Sequence, residues 1–461
     1  MHRVITAMMS LLLVASQSYA GGPLSVTGTA ATTPGQAFVW DTTKTIQYTV
    51  DSGPLSVNPS GQTVINNSQG LTRVQGLFQN WGSVPTASLQ FKYAGPITGV
   101  SGGDVKTLAD FNTVQGSCNA GTQSPVIFDA NGSLIQALGE DPLVIGFSST
   151  CKLDAVSGHI QSALILLNGE FQDGLSSPST SNYEISADQF DEAITHEMGH
   201  FLGLGHSQIN LAMYQSGYVN NCPVDGLAGL PLMFPIEFCQ SRKSAGLPIL
   251  APDDIAWISK LYPSGTYAAN YGTISGFVLF SDGITHVQGV NVIARRVDDP
   301  NTPQDESQRI AVSVVSGYLF TGNPGQSVTA DNTAGSEFGS RNPALIGYYE
   351  IPVTPGTYTI QTENIDSSFT GGSSVGPLDP PVNSPGAPEY WHAYESAFDN
   401  TTQADPVTVT AGQKISNLNF ILNGTPPRFD PNEDGEVRRV VPENPLVFRP
   451  SHAPRQWGAR A

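Results

Sequence analysis

The chain has 461 residues, more than one ordinary hydrophobic core accommodates, so two or three domains are expected. Its 39 acidic against 20 basic side chains leave a net charge of −19, which argues against a nucleic-acid partner and suits a soluble protein held away from anionic membranes. Only 13% of residues are charged while glycine (48) and proline (34) are abundant, a composition that favours short strands and many turns.

In chain order, residues 1–20 read as a secretory signal. His2 and Arg3 give a basic start, Ala7 to Ala15 an apolar run, and Ser18-Tyr19-Ala20 a small-x-small cleavage site. The run is too short to span a bilayer, and no later segment is apolar enough to act as a membrane anchor. A secreted product, extracellular or periplasmic, is expected. Residues 21–37 are small and polar, a leader with no core of its own. Ile46, Tyr48 and Val50 alternate as in a strand, and Leu71, Val74, Phe78 and Trp81 recur at helical spacing up to Gly82. Leu89, Phe91 and Tyr93 alternate again. Pro125–Asp129 leads into an Asn131-Gly132 turn, and Ile160 to Leu167 is an apolar strand. This order describes an α+β domain.

Four cysteines, Cys118, Cys151, Cys222 and Cys239, lack C-x-x-C spacing and fit an oxidising compartment. Of the three pairings possible, nearest neighbours are preferred, Cys118–Cys151 and Cys222–Cys239; loops of that size contribute roughly 3–4 kcal/mol each.

A second helix is announced by Ser186 with Gln189 three residues on, a capping box, and by Ile185 and Phe190 at the positions of a hydrophobic staple. It carries His196-Glu197-Met198-Gly199-His200, continued by Gly203 and His206. His196 and His200, four apart, project from one helix face, close enough to share a metal ion. Gly203 permits the turn that brings His206 back as a third nitrogen. Glu197 stands beside the ligand row, where a carboxylate can take a proton from metal-held water. Three neutral imidazoles with one open position describe a catalytic rather than a structural zinc site.

His196 to His206 match the metzincin metalloprotease motif. Pro231-Leu232-Met233-Phe234-Pro235 looks like the Met-turn of that clan, and Leu250–Tyr262, with Asp253, Asp254 and a terminal Leu261-Tyr262, like the closing helix of one family in it. Ser207, Trp40-Asp41, the helix ending at Trp81 and the strand through Phe91 follow the same order. On these residues, 38–263 resembles the matrixin family of zinc metalloproteases. The resemblance implies an α+β catalytic domain, with a mixed twisted sheet, an active-site helix and a closing helix. It also implies zinc on His196, His200 and His206, with Met233 as a hydrophobic floor. Peptide bonds would be hydrolysed through zinc-bound water with Glu197 as general base. The substrate would be an extended protein or peptide lying along an edge strand, for which Ile160–Leu167 is the candidate neighbour. The paired aspartates read first as a helix cap, with a brace for the active-site helix as the second role open to one of them.

Three departures qualify the resemblance. The Gln208–Leu232 stretch is long for the link before such a turn and contains Cys222. No cysteine precedes Cys118, so latency through a cysteine switch is not supported. His159 is the only histidine before the active helix within 38–263, so a structural zinc site is not expected. Calcium, through Asp129 or Asp154, is the remaining candidate cation, although carboxylates in glycine-rich turns are common without one.

Residues 264–270 read as a linker. From 271 to 424, strands broken by turn dipeptides read as an all-β sandwich. They include Thr273–Phe280, Val287–Val292, Gly347–Ile351, Pro355–Ile360, Val407–Val409 and Leu418–Leu422. Their order resembles the carboxypeptidase-regulatory-like, transthyretin-type module. Tyr390, Trp391, His392 and Tyr394 offer an aromatic surface, though packing within the sandwich is the better reading. Residues 425–461 read as a disordered tail; Asp430, Asn432, Asp434 and Gly435 mimic a calcium loop without its closing glutamate. A second class of function stays open: an extracellular binding or adhesion protein whose sandwich does the work on an idle metal scaffold. Against it, a scaffold needs the histidines but not Glu197. Oligomeric state is not legible.

Overall fold

The computed structural model describes residues 21–28, 30–175, 184–216, 224–237, 240–297, 307, 309–320, 340, 342–365, 388–424 and 447–450. The signal-like residues 1–20, Cys222, Cys239 and the calcium-loop mimic at 430–435 lie outside them.

The first half is a mixed α+β unit. Its elements are β1 (Val39–Trp40), β2 (Ile46–Val50), the hairpin β3 (Ser56–Val57) and β4 (Thr63–Ile65), α1 (Asn67–Gly82), β5 (Phe91–Pro96), α2 (Leu108–Asn119), β6 (Pro125–Asp129), α3 (Ser133–Ala137), β7 (Gly146–Asp154) and β8 (His159–Asn168). Then come α4 (Ala187–Phe201), α5 (Leu211–Gln215), α6 (Val224–Ala228), β9 (Ile236–Glu237), α7 (Pro252–Leu261) and the single turn α8 (Tyr267–Asn270). Strands β5, β2, β6 and β8 are parallel neighbours in that order, and β7 closes on β8 antiparallel.

This order places the 160–167 strand one position in from β7. The apolar strand at 160–167 is interior, flanked by β6 and β7, and its side chains from Ser162 to Asn168 are buried. Strand β7, Gly-Phe-Ser-Ser-Thr-Cys-Lys-Leu-Asp, is its antiparallel neighbour. Its cysteine bonds α2, with Cys118–Cys151 at a Cα separation of 5.5 Å.

Residues 21–28 also differ from expectation, because they are buried rather than a free leader. Leu24 and Val26 are fully covered. Gly21 N donates to His206 O at 2.5 Å and Leu24 N to Gly203 O at 2.6 Å, which ties this segment to the turn after α4.

The second half holds β10 (Gly272–Leu279), β11 (Asn291–Arg296), β12 (Ala311–Val315), β13 (Tyr348–Val353), β14 (Gly356–Glu363), β15 (Glu389–Tyr390), β16 (Val407–Val409), β17 (Lys414–Ile415) and β18 (Phe420–Ile421). One sheet is β13-β10-β17 with β18 also on β10. The other is β12-β11-β14-β15 with β16 also on β14. Ile274, Val278, Val292, Val314, Tyr349, Ile360 and Phe420 fill the core the two sheets share.

That core is continuous with the core of the first half. Trp257 Nε1 donates to Ser313 O at 2.7 Å, Asp253 Oδ1 accepts from Ser313 N at 2.9 Å, and Arg295 Nη1 donates to Asn210 Oδ1 at 2.6 Å. Residues 264–270 are pinned as well, with Ser264 N donating to Thr86 O at 3.0 Å. The halves are docked through buried polar bonds, which cost free energy if broken without replacement. A final strand, β19 (Val447–Pro450), returns to the first sheet between β7 and β9.

Candidate metal centre

Helix α4 is fixed at both ends. Ser186 accepts from Gln189 N while the Gln189 side chain accepts from Ser186 N, the reciprocal cap the sequence spells out. Ile185 and Phe190 are both buried at that end. At the other end Trp40 Nε1 donates to Phe201 O at 2.8 Å, and Tyr262 Oη donates to Leu202 O at 2.5 Å. Along its length Trp81 Nε1 donates to Thr195 O at 2.9 Å, and Glu192 accepts from the N–H groups of Arg242 and Lys243. Ligand geometry is only as good as the helix presenting it, and this helix is anchored by four other parts of the chain.

The chain turns sharply after His200. Gly203 has φ +84°, Gly203 N donates to His200 O and Leu204 N to Gly199 O. That left-handed residue swings His206 back over the helix. The rings of His196, His200 and His206 then have centroids 4.7 to 5.3 Å apart, and one ligand atom from each lies within 4.8 Å of the others. The triad could hold a metal ion.

Backbone carbonyls prepare two of the rings. His196 Nδ1 lies 2.7 Å from Leu232 O and His200 Nδ1 lies 2.8 Å from Leu204 O. A carbonyl can only accept, so each Nδ1 carries the proton and each Nε2 keeps a lone pair, the tautomer a metal requires. Burial pushes both imidazoles toward the neutral form. His196 falls well below the usual histidine value, through burial and its two histidine neighbours, and His200 drops to about 4 through burial. The donor set of three buried imidazole nitrogens fits zinc.

Glu197 is fully buried, and neither carboxylate oxygen has a hydrogen-bond partner among the described residues. Burial without compensation raises its carboxyl well above the ordinary range. An unsatisfied buried carboxylate costs several kcal/mol by order of magnitude, so a fold retains one only where something else meets it. Strand β7 passes close by, since a Cβ placed on Gly146 would come within 3.4 Å of Glu197 Cγ.

Met233 lies under the helix, where a Cβ on Gly199 would collide with its Sδ and come within 3.0 Å of Trp81. The small residue between Met198 and His200 thus has a packing reason the motif does not reveal. Asp254 holds the Met233 turn, accepting from Leu232 N at 2.9 Å, Met233 N at 3.0 Å and Ala251 N at 2.7 Å. Ser207 N donates to Met233 O at 2.8 Å, tying the third histidine's loop to the same turn. One aspartate therefore braces the floor of the site, while its neighbour Asp253 joins the two halves. Asp254 thus both caps α7, as its place in the sequence suggests, and holds the turn through backbone groups.

The other sequence candidates do not gather here. Asp129 accepts from Ile135 N at the start of α3, and Asp154 accepts from Val156 N and Ser157 N in its own turn. Neither belongs to a ligand-capable cluster among the described residues. A second grouping, His392, Glu395 and Asp399, does cluster in the sandwich. There the tautomer is reversed. His392 Nδ1 accepts from Tyr394 N at 3.0 Å, which leaves the proton on Nε2, 3.2 Å from Asp399 Oδ2. This is a histidine–carboxylate pair. Of the aromatic stretch, Tyr394 is exposed and His392 is buried.

No family model matches this chain, and neither a curated protein nor a solved structure matches it. Among the described residues no helix is long and apolar enough to cross a membrane.

Proposed function

We propose that the chain is a secreted zinc-dependent endopeptidase of matrixin type, with Glu197 as its general base. The observation that carries this is the pairing, on one helix and the turn after it, of three converging buried imidazoles with a buried carboxylate that no hydrogen bond satisfies among the described residues. A bound zinc would be held by His196, His200 and His206 and would supply Lewis acidity toward water and toward the scissile carbonyl. Glu197, raised in pKa by burial, accepts a proton from the attacking water and returns it to the leaving nitrogen. The Leu232 and Leu204 carbonyls fix the tautomer and orientation of the two helix imidazoles, which burial keeps neutral. Met233 and Asp254 hold the floor in place. An extended substrate backbone would add beside β7 as a further strand.

A binding protein on an idle metal scaffold has no use for Glu197, whose burial is costly. The signal-like residues 1–20 and the Cys118–Cys151 bridge support export. Purified protein is expected to hold one zinc per chain and to cleave an unfolded protein such as reduced casein. Chelation should abolish cleavage and added zinc restore it. One bound zinc with no cleavage of any peptide under activating conditions would favour the binding reading instead.

A further inference from the structure

Strand β19 sits apart from the sandwich that precedes it in sequence. Val447 pairs with Phe147 and Phe448 with Gly146, antiparallel to β7. On its other side Arg449 pairs with Ile236 and Pro450 with Glu237, parallel to β9. The segment thus lies in a slot between the far edge of β7 and the strand that follows the Met233 turn, against α4. Its register places Phe448 opposite Gly146, the β7 residue that abuts Glu197.

An edge strand with open N–H and C=O groups is a template for any extended chain. Here the template is filled by the chain itself, in the mode by which an extended peptide is recognised: main-chain bonds along an edge, with a direction fixed by the pairing. The side chains of the centre are closed off to match. His196, Glu197 and His200 have no solvent exposure and His206 only 4%. A peptidase centre needs an open approach, and this one is shut.

We propose that Val447–Pro450 is an internal blocking strand, which occupies the substrate groove between β7 and β9 as a peptide substrate would and keeps the Glu197 centre closed until it is displaced. The blocking role rests on the peptidase reading above; the docking does not. A short strand suffices because it is tethered. At an effective concentration on the order of 1 mM, a segment with an intrinsic Kd of about 0.1 mM closes the groove roughly nine-tenths of the time. Release therefore raises activity about tenfold. It also gives the chain a latency device that needs no cysteine before the catalytic unit.

The test uses the full chain with Val447→Pro and Phe448→Pro together; consecutive amides face opposite sides of a strand, so the pair removes whichever of the two donates to β7. Hydrogen exchange at residues 146–148 is expected to quicken at least tenfold, with the α4 amides exchanging as in the wild type. The zinc-loaded variant should hydrolyse a peptide about tenfold faster than the wild type, and a synthetic peptide of residues 444–453 should inhibit it competitively. Unchanged exchange at 146–148 would overturn the docking. Faster exchange with unchanged hydrolysis would overturn the block. If exchange quickens but neither form hydrolyses anything, the peptidase reading falls and the blocking role with it, while the docking stands.

Discussion

Asp254→Ala removes the acceptor that three backbone N–H groups share, those of Leu232, Met233 and Ala251. Asp254 is 1% exposed, so water cannot replace it without opening the site. A hydrogen bond to a charged group contributes about 1.5–3 kcal/mol, which for three bonds gives a gross loss of roughly 4–9 kcal/mol. Part of that returns, because burial raises the Asp254 carboxyl above its usual value and alanine does not bear that penalty. Removing one member of a buried charged arrangement typically costs about 3–5 kcal/mol net, and that is the expectation for unfolding in urea. The loss should reach the metal. Leu232 O orients His196, and disturbing an outer-shell partner of a ligand lowers affinity about 10- to 100-fold. Unfolding curves and zinc titration with a competing chelator would measure both. A variant within about 1 kcal/mol of the wild type, with unchanged zinc affinity, would refute the assignment of Asp254 as the brace of the site.

Gly199→Ala drives a methyl into Met233 and Trp81; overpacking of this kind costs about 1–3 kcal/mol, and zinc affinity should fall with it, as read by thermal unfolding and metal titration. In the sandwich, burial raises Glu395 to about 8 and Glu389 to about 7. The folded state then binds protons more tightly than the unfolded chain, so the stability these groups confer is complete below pH 4.5 and is lost as pH rises through 7 and 8. Glu395→Gln should shrink the difference in Tm between pH 5 and pH 8, and an unchanged difference would show that Glu395 does not titrate in that window.

The parts of the fold legible in the sequence are those whose burial pattern is local. Helix α1 shows Val74, Phe78 and Trp81 on one face, and α4 carries its capping box in the letters Ser186 and Gln189. Strand β7 was not legible. Its run of glycine, serines, threonine and cysteine has no apolar alternation, and its identity as a strand comes from pairing with β8. Helix α2 is hidden in the sequence for a similar reason, since Gly116 and polar residues interrupt its apolar face. Thr107 and Asp110 form a capping box that would have marked its start. Residues 21–28 look polar, yet Leu24 and Val26 are buried because the turn after α4 supplies bonding partners far away in sequence.

The candidate site divides the same way. The triad and Glu197 follow from helical spacing and one glycine turn. What orients them, the Leu232 and Leu204 carbonyls, the Asp254 brace and the Ser207 amide, acts through backbone atoms that no residue pattern encodes.

The most direct test of the central claim compares wild type and Glu197→Gln at equal zinc content on one unfolded protein substrate. Glutamine keeps the shape of the side chain and cannot act as the base. General acid–base catalysis is worth about 10²–10⁴ in rate, so cleavage should fall by that factor while zinc stays bound one per chain. Cleavage at the wild-type rate by the zinc-loaded Glu197→Gln protein would contradict the account.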